Sequence, residues 1–167
     1  MRVDRKSARK VALLAVCVMS PVAVFSVMDL RINLTASHVP AGIWMAHPPD
    51  ELEVGDVIDY DKDEFYAARP EVSEDRMIFA VPVVIKRVGA LPGAVVARSG
   101  DALTIDGTLY SESRIGDESW RKVDYPLVVP DGCVWLMANS ATAYDSRYHG
   151  PVPVNLIREK LTPVLVW

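Results

Sequence analysis

The sequence predicts a mainly β protein, an antiparallel β domain over residues 29–167 preceded by one N-terminal transmembrane or signal helix within residues 1–28. Three observations predict this. A cluster of basic residues stands directly before an uncharged apolar run at 11–28. Beyond that run, short apolar stretches are broken by Gly, Pro and Asp at close intervals, with no sustained helical period. The chain has 167 residues, half of them hydrophobic and 24% charged, which fits one core plus a tail and excludes a disordered chain.

The N-terminal segment carries Arg2, Arg5, Lys6, Arg9 and Lys10 ahead of residues 11–28. As a helix rising about 1.5 Å per residue, that run spans roughly 27 Å, close to the bilayer core of about 30 Å. Ser20 and Pro21 would kink it without preventing insertion. The positive-inside rule keeps the basic end in the cytoplasm and places the rest on the outer side, in a bacterium the periplasmic face of the inner membrane. Val24 and Ser26 also make an acceptable small-residue site for removal of the segment, so a tethered and a released periplasmic form both fit.

Strands are expected at residues 42–45, 56–60, 77–88, 94–98, 132–138 and 161–167, with a hairpin over 103–110. Asp106-Gly107 is the strongest local hairpin signal in the chain, because both central positions of a type I′ turn need positive φ. Residues 60–75 and 112–122 lack strand alternation and read as surface excursions too short to be a further domain.

Charge and composition narrow the function classes. The net charge is -4, and basic residues beyond the N-terminus are scattered rather than clustered, which argues against a nucleic-acid partner. Cys17 and Cys133 are the only cysteines, too few for a disulfide framework or a Cys-rich zinc site. His47 and His149 have no metal-ligand spacing, so no metal or other cofactor is expected.

Three constellations carry chemistry. In the first, Asn33-Leu34-Thr35-Ala36-Ser37-His38-Val39-Pro40-Ala41-Gly42, a serine sits in a turn bounded by Pro and Gly. Its hydroxyl needs a base to take the proton and donors for the oxyanion, for which the Ser37 N–H and the Thr35 hydroxyl are candidates. An ordinary turn uses the same residue types. His38 is not a triad partner, since adjacent side chains diverge and no Gly-x-Ser-x-Gly elbow surrounds Ser37. In the second, Val83 to Gly93, strand alternation puts Lys86 on the face of Val84 and Val88 and turns Arg87 the other way. If that face is the core, burial lowers the ammonium pKa towards the range of a general base; if it is an edge, Lys86 is a gatekeeper against aggregation. In the third, Asn139 to Pro151, Asp145 and Arg147 would share a face of a strand, either bracing a site or forming an exposed ion pair.

In this order the segments resemble the signal peptidase I clan of Ser-Lys peptidases, peptidase family S26, over nearly the whole chain. Ser37 to Pro40 is similar to that family's nucleophile turn, Gly55-Asp56-Val57-Ile58 to its Gly-Asp box, Lys86 to Gly93 to its Lys-Arg-Val-x-x-Leu-Pro-Gly strand, and Asp145 to Gly150 to its Asp-Ser-Arg box. The resemblance implies Ser37 as nucleophile, Lys86 as general base, Thr35 and the Ser37 N–H as oxyanion donors, and Asp145 and Arg147 as supporting residues. Ala143 departs from the family's serine that holds the lysine amine, which leaves Thr142, Ser140 and Asp145 as candidates for that role. Within the clan, the short chain and the turn from Asn33 to Trp44, which is similar to a Ser-x-Pro-x-Gly-aromatic form, are most like peptidases of plasmid conjugation. Such a likeness implies a membrane-held pilin precursor as substrate, cleaved or cyclised, and other components of a conjugation or type IV secretion apparatus as partners. A general signal-peptidase-like enzyme and a catalytically silent structural component are the alternatives.

Overall fold

The computed structural model describes residues 29–34, 39–73, 84–114, 123–138, 140 and 143–167. The expected N-terminal helix, Thr35, Ser37 and Thr142 lie outside the described residues. Among those described, no helix is long and apolar enough to cross a membrane.

Eleven strands form among the described residues: β1 (Leu30–Asn33), β2 (Gly42–His47), β3 (Val57–Tyr60), β4 (Val84–Ala90), β5 (Val95–Ser99), β6 (Ala102–Ile105), β7 (Thr108–Arg114), β8 (Leu127–Val128), β9 (Cys133–Met137), β10 (Val152–Pro153) and β11 (Ile157–Val166). Three short helices join them: α1 (Lys62–Ala67), α2 (Pro70–Ser73) and α3 (Ser146–His149). A seven-stranded sheet runs β1-β2-β11-β3-β4-β9-β10, and a four-stranded sheet runs β7-β6-β5-β8. The strand pairings are antiparallel throughout. The mainly β antiparallel expectation is met.

Local chemistry explains the elements. The β6–β7 hairpin turns at Asp106 (φ 50°) and Gly107 (φ 78°), the positive pair that a type I′ turn requires, and Asp106 Oδ1 accepts the Val95 N–H at 2.8 Å. Gly42 is fixed by a close approach, since a Cβ there would stand 2.3 Å from the Leu165 carbonyl oxygen of β11. β9, Cys-Val-Trp-Leu-Met, has no polar face because both faces are covered. Val134 and Leu136 enter one cluster with Ile58, Tyr60, Val84 and Val88, whereas Trp135 and Met137 enter a second with Val96, Leu103, Ile105 and Tyr148. β9 of the seven-stranded sheet therefore lies between two apolar clusters, one of which includes residues of the four-stranded sheet, and its apolar run is continuous. Trp135 is fully buried, and truncating it to Ala would cost about 3–5 kcal/mol.

Two expected excursions differ from the sequence reading. Residues 60–75 contain α1 and α2: Asp61 caps α1 by accepting the Glu64 N–H at 3.0 Å, and Phe65 and Val72 are buried in the two core clusters. The cap signal was present, but α1 is one turn and a half long, too short for a visible hydrophobic period. Residues 112–114 continue β7, because pairing with β6 extends the hairpin beyond its apolar portion. β1, β8 and β10, each four residues or shorter, were not expected.

Candidate active site

β4 sends alternate residues to opposite faces of the large sheet. Lys86 is the register partner of Ile58 on β3 and joins Val84 and Val88 on the face of the main core, where it is 1% exposed. Arg87 is half-buried on the opposite face rather than free in solvent, donating to the Gly55 carbonyl at 2.7 Å. Burial pushes the Lys86 amine down from 10.5 to about 8; the Asp145 carboxylate pulls it back up and the Arg147 guanidinium pushes it further down. An edge-strand gatekeeper would be solvated. Lys86 instead lies between β3 and β9, the two neighbours of β4 in the sheet.

Asp145 and Arg147 do not share the face of a strand. Asp145 is the N-cap of α3, and its Oδ1 accepts the Arg147 backbone N–H at 3.1 Å and the Arg147 Nε at 2.7 Å. Its Oδ2 accepts Arg147 Nη2 at 2.7 Å and the Ala138 N–H at 2.9 Å. Ser146 Oγ accepts the Leu136 N–H at 2.9 Å. The physical reason for a helical turn here lies in β9: β10 pairs only with Cys133 and Val134, so the later N–H groups of β9 need other acceptors. The Asp-Ser pair at the start of α3 supplies them, which clamps the box onto the edge of the sheet.

The ion pair is buried, with both side chains at 0% exposure. Arg147 Nη2 also donates to the carbonyls of Ser140 (2.6 Å) and Ala143 (3.1 Å), and the Tyr125 hydroxyl donates to the Arg147 carbonyl at 2.8 Å. With four donors on its carboxylate, Asp145 acts on Lys86 through its field and through the placement of α3. Burial works against the Arg147 guanidinium, and the bonds and charge of Asp145 more than offset it, so its pKa is raised.

Two buried titratable residues escaped the sequence reading. His149, considered there only as a metal ligand, is completely buried. Its Nδ1 is 2.9 Å from the Gly150 carbonyl, its Nε2 has no partner among the described residues, and its ring packs edge-on to Phe65 with centroids 5.0 Å apart. Burial pushes its pKa down to about 3, so the imidazole is neutral. Arg69 of the α1–α2 excursion donates to the His149 carbonyl at 2.8 Å, so the excursion braces the box from outside. Asp59 on β3 is the second; its place within a run of strand residues, two after Val57 and so on the same face, was its one signal in the sequence.

The segment carrying Ser37 and Thr35 is flanked by described residues. The Asn33 side-chain amide donates to the carbonyls of Val39 (3.3 Å) and Pro40 (3.1 Å), which draws the two ends of the segment together. Val39 packs with Trp44, Val57 and Leu161.

The site thus combines a mainly antiparallel β fold, a desolvated lysine on an inner strand and an aspartate–arginine box locked to the strand beside it. A family model described as signal peptidase, peptidase S26, matches residues 6–166, and the chain belongs to that family. It is 33% identical over 147 residues to the conjugal transfer protein TraF of Agrobacterium tumefaciens, covering 82% of each chain. It is also 30% identical over 118 residues to the probable thylakoidal processing peptidase 2 of Arabidopsis thaliana, covering 64% of this chain and 32% of the plant protein. The chain thus spans about a third of that longer relative. A crystal structure of signal peptidase I from Enterococcus faecalis superposes with a TM-score of 0.43 at 23% identity, over 68% of this chain and 98% of that one.

Proposed function

We propose that the chain is a Ser-Lys endopeptidase of plasmid conjugative transfer that processes a pilin precursor at the periplasmic face of the inner membrane. The observation that carries this reading is the burial of Lys86 on an inner strand, with its amine held at about 8, where a useful fraction is neutral near pH 7–8. The likeness to TraF supports the conjugative context. An apolar corner supports the membrane seat: Ile32, Leu34, Leu165, Val166 and Trp167 are exposed around the ends of β1 and β11, next to the segment that carries Ser37.

In this mechanism neutral Lys86 takes the Ser37 hydroxyl proton as Oγ attacks the scissile carbonyl. The Ser37 N–H and the Thr35 hydroxyl hold the oxyanion. The tetrahedral intermediate expels the amine, which leaves with the proton from the Lys86 ammonium, and an acyl-enzyme on Ser37 remains. Water resolves it to a cleaved product, or the substrate's own N-terminal amine resolves it to a cyclic one. Asp145 and Arg147 position α3 and tune Lys86 without touching the reacting atoms.

The test is processing of a pilin-precursor peptide by the full chain in detergent micelles, read by mass spectrometry. Ser37→Ala and Lys86→Ala are each expected to lower kcat/KM by about a thousandfold or more, and the wild-type rate is expected to rise with pH through about 8. A cyclic product is lighter than the linear one by one water. Undiminished processing by either variant overturns the proposal.

A further inference from the structure

His149 carries a buried acceptor that the mechanism above leaves unused. Its Nδ1 faces the Gly150 carbonyl at 2.9 Å, and only an Nδ1–H can donate there, so the neutral ring keeps its lone pair on Nε2. That nitrogen is buried and has no hydrogen-bond partner among the described residues. An orphaned buried acceptor is destabilising by about 1–3 kcal/mol, and its persistence in a folded chain points to a partner reached through an ordered water.

The fold brings this ring and Lys86 into one space. His149 is four residues after Asp145, and its N–H closes the turn of α3 on the Asp145 carbonyl at 3.2 Å, so the two side chains lie on one side of that turn. Asp145 Oδ2 holds the Ala138 N–H, and continuing the β4–β9 register past Arg87 and Met137 sets Ala138 opposite Lys86. From β3, Tyr60 is the register partner of Val84 and stands diagonal to Lys86 on the same face. The Tyr60 ring meets Phe65 at 5.9 Å and Phe65 meets His149 at 5.0 Å between centroids, while Tyr144 tilts against the imidazole at 5.5 Å. The charges of Asp145 and Lys86 both bear on the imidazole.

We propose that His149 is the positioning residue for Lys86: Nε2 accepts, by way of one bridging water, a hydrogen bond from the Lys86 amine and so aims the amine's lone pair. The proposal rests on the peptidase reading. What acts on the Lys86 amine is burial and the charges of Asp145 and Arg147, with no hydrogen bond among them. Asp145 does not fit the role, since the Arg147 N–H, Nε and Nη2 and the Ala138 N–H already fill its carboxylate. Ala143 has no side-chain oxygen to offer. A buried amine in need of an acceptor and a buried imidazole in need of a donor are complementary, and linking them satisfies both. Because Nε2 has no donor in direct reach, a water is the fitting link, and the buried hydroxyl of Tyr60 adds a further polar neighbour for it.

The charged and titratable groups facing the imidazole are Asp145 at the start of α3, Lys86 on β4, Arg69 between α1 and α2, and Tyr66 and Tyr144 through their rings. Burial holds the His149 pKa at about 3, so the acceptor is present throughout the working range. Its influence is read on Lys86. An acceptor stabilises the ammonium, so its removal moves the Lys86 pKa further below about 8, whereas a loosened core that admits solvent moves it up towards 10.5.

The experiment records pH–rate profiles of the full chain in detergent micelles with the pilin-precursor peptide, and a thermal melt of each variant. His149→Phe fills the space and offers no acceptor. It is expected to lower kcat by about 10- to 100-fold with KM unchanged, and to move the rising limb of kcat/KM below about 8. His149→Gln, whose side-chain oxygen can stand near the place of Nε2, is expected to recover most of the rate and to return the limb to about 8. An unchanged kcat in His149→Phe, a limb that moves up, or a Gln variant no better than the Phe variant overturns this proposal alone. Where His149→Phe melts below the assay temperature, His149→Gln decides: a kcat near that of the wild type supports the proposal, and a loss of about tenfold or more overturns it. Absence of cleavage by the wild-type chain overturns the peptidase reading and this proposal with it.

Discussion

Lys86 and Asp59 stand on adjacent antiparallel strands, each opposite an isoleucine of the other strand, and project to opposite faces of one sheet. Burial drives both towards neutrality, the amine down to about 8 and the carboxyl up to about 6. Their surroundings differ. The Lys86 face is sealed by the core and by α3, where the Asp145 carboxylate and the Arg147 guanidinium each make four hydrogen bonds. The Asp59 face is crossed by one half-exposed ion pair and leaves an acceptor empty. A buried charge in a satisfied network is held in place by its partners, whereas one with an unfilled acceptor keeps its desolvation cost.

The contrast is broken most severely at Asp145. Asp145→Asn keeps the size but strands the Arg147 guanidinium without a counter-charge, and a loss of about 3–5 kcal/mol is expected, a fall in Tm of roughly 10 °C for a chain of this size. A thermal melt of the full chain in micelles reads it, and a fall of only a degree or two would mean that Arg147 finds other acceptors.

A smaller effect of opposite sign is expected from Lys86→Met. The folded-state pKa of Lys86 lies below its unfolded value, so the folded chain binds fewer protons between about 8 and 10.5 and the wild type gains stability as pH rises through that window. At pH 7 the variant is relieved of a buried charge and should be more stable by about 3 kcal/mol, with the difference shrinking towards pH 10. An inactive variant that melts at the wild-type temperature at pH 7 would contradict the desolvation of Lys86.

The smallest effect belongs to the other face. Glu159→Gln removes a pair whose side chains are 41% and 26% exposed, which is worth about 0–1 kcal/mol and is screened by salt. Because Glu159 raises the Asp59 pKa, the same variant should move the Asp59 carboxyl titration downwards, measurable by carboxyl-carbon NMR. An upward movement would mean that Arg31, once released, swings away from Asp59 and takes its own lowering influence with it.

Much of the fold was legible because it depends on local rules. The Asp106-Gly107 turn needs no tertiary context, and the strands around 42–47, 57–60, 95–99 and 133–137 follow from short apolar runs between breakers. The short α1 helix and β10 were not legible, since one is too brief to show a period and the other exists only because β9 offers it partners. In the site, the direction of Lys86 followed from alternation. The conformation of Asp145 and Arg147 did not, because a two-residue spacing fits a strand and a capped helical turn equally well.

The sequence by itself determined the order of the boxes, the family they resemble, and which face of β4 Lys86 would take, since pleat alternation and residue order are properties of the chain. Only the tertiary structure decided whether that face is dry, that the Asp145–Arg147 pair is buried and saturated, and that Asp59 ends beside Glu159 with an acceptor unfilled. Desolvation and hydrogen-bond satisfaction are set by what strands distant in the chain bring into contact, here β3, β4, β9 and β11, and no local pattern encodes which of two equally plausible faces the rest of the chain will cover.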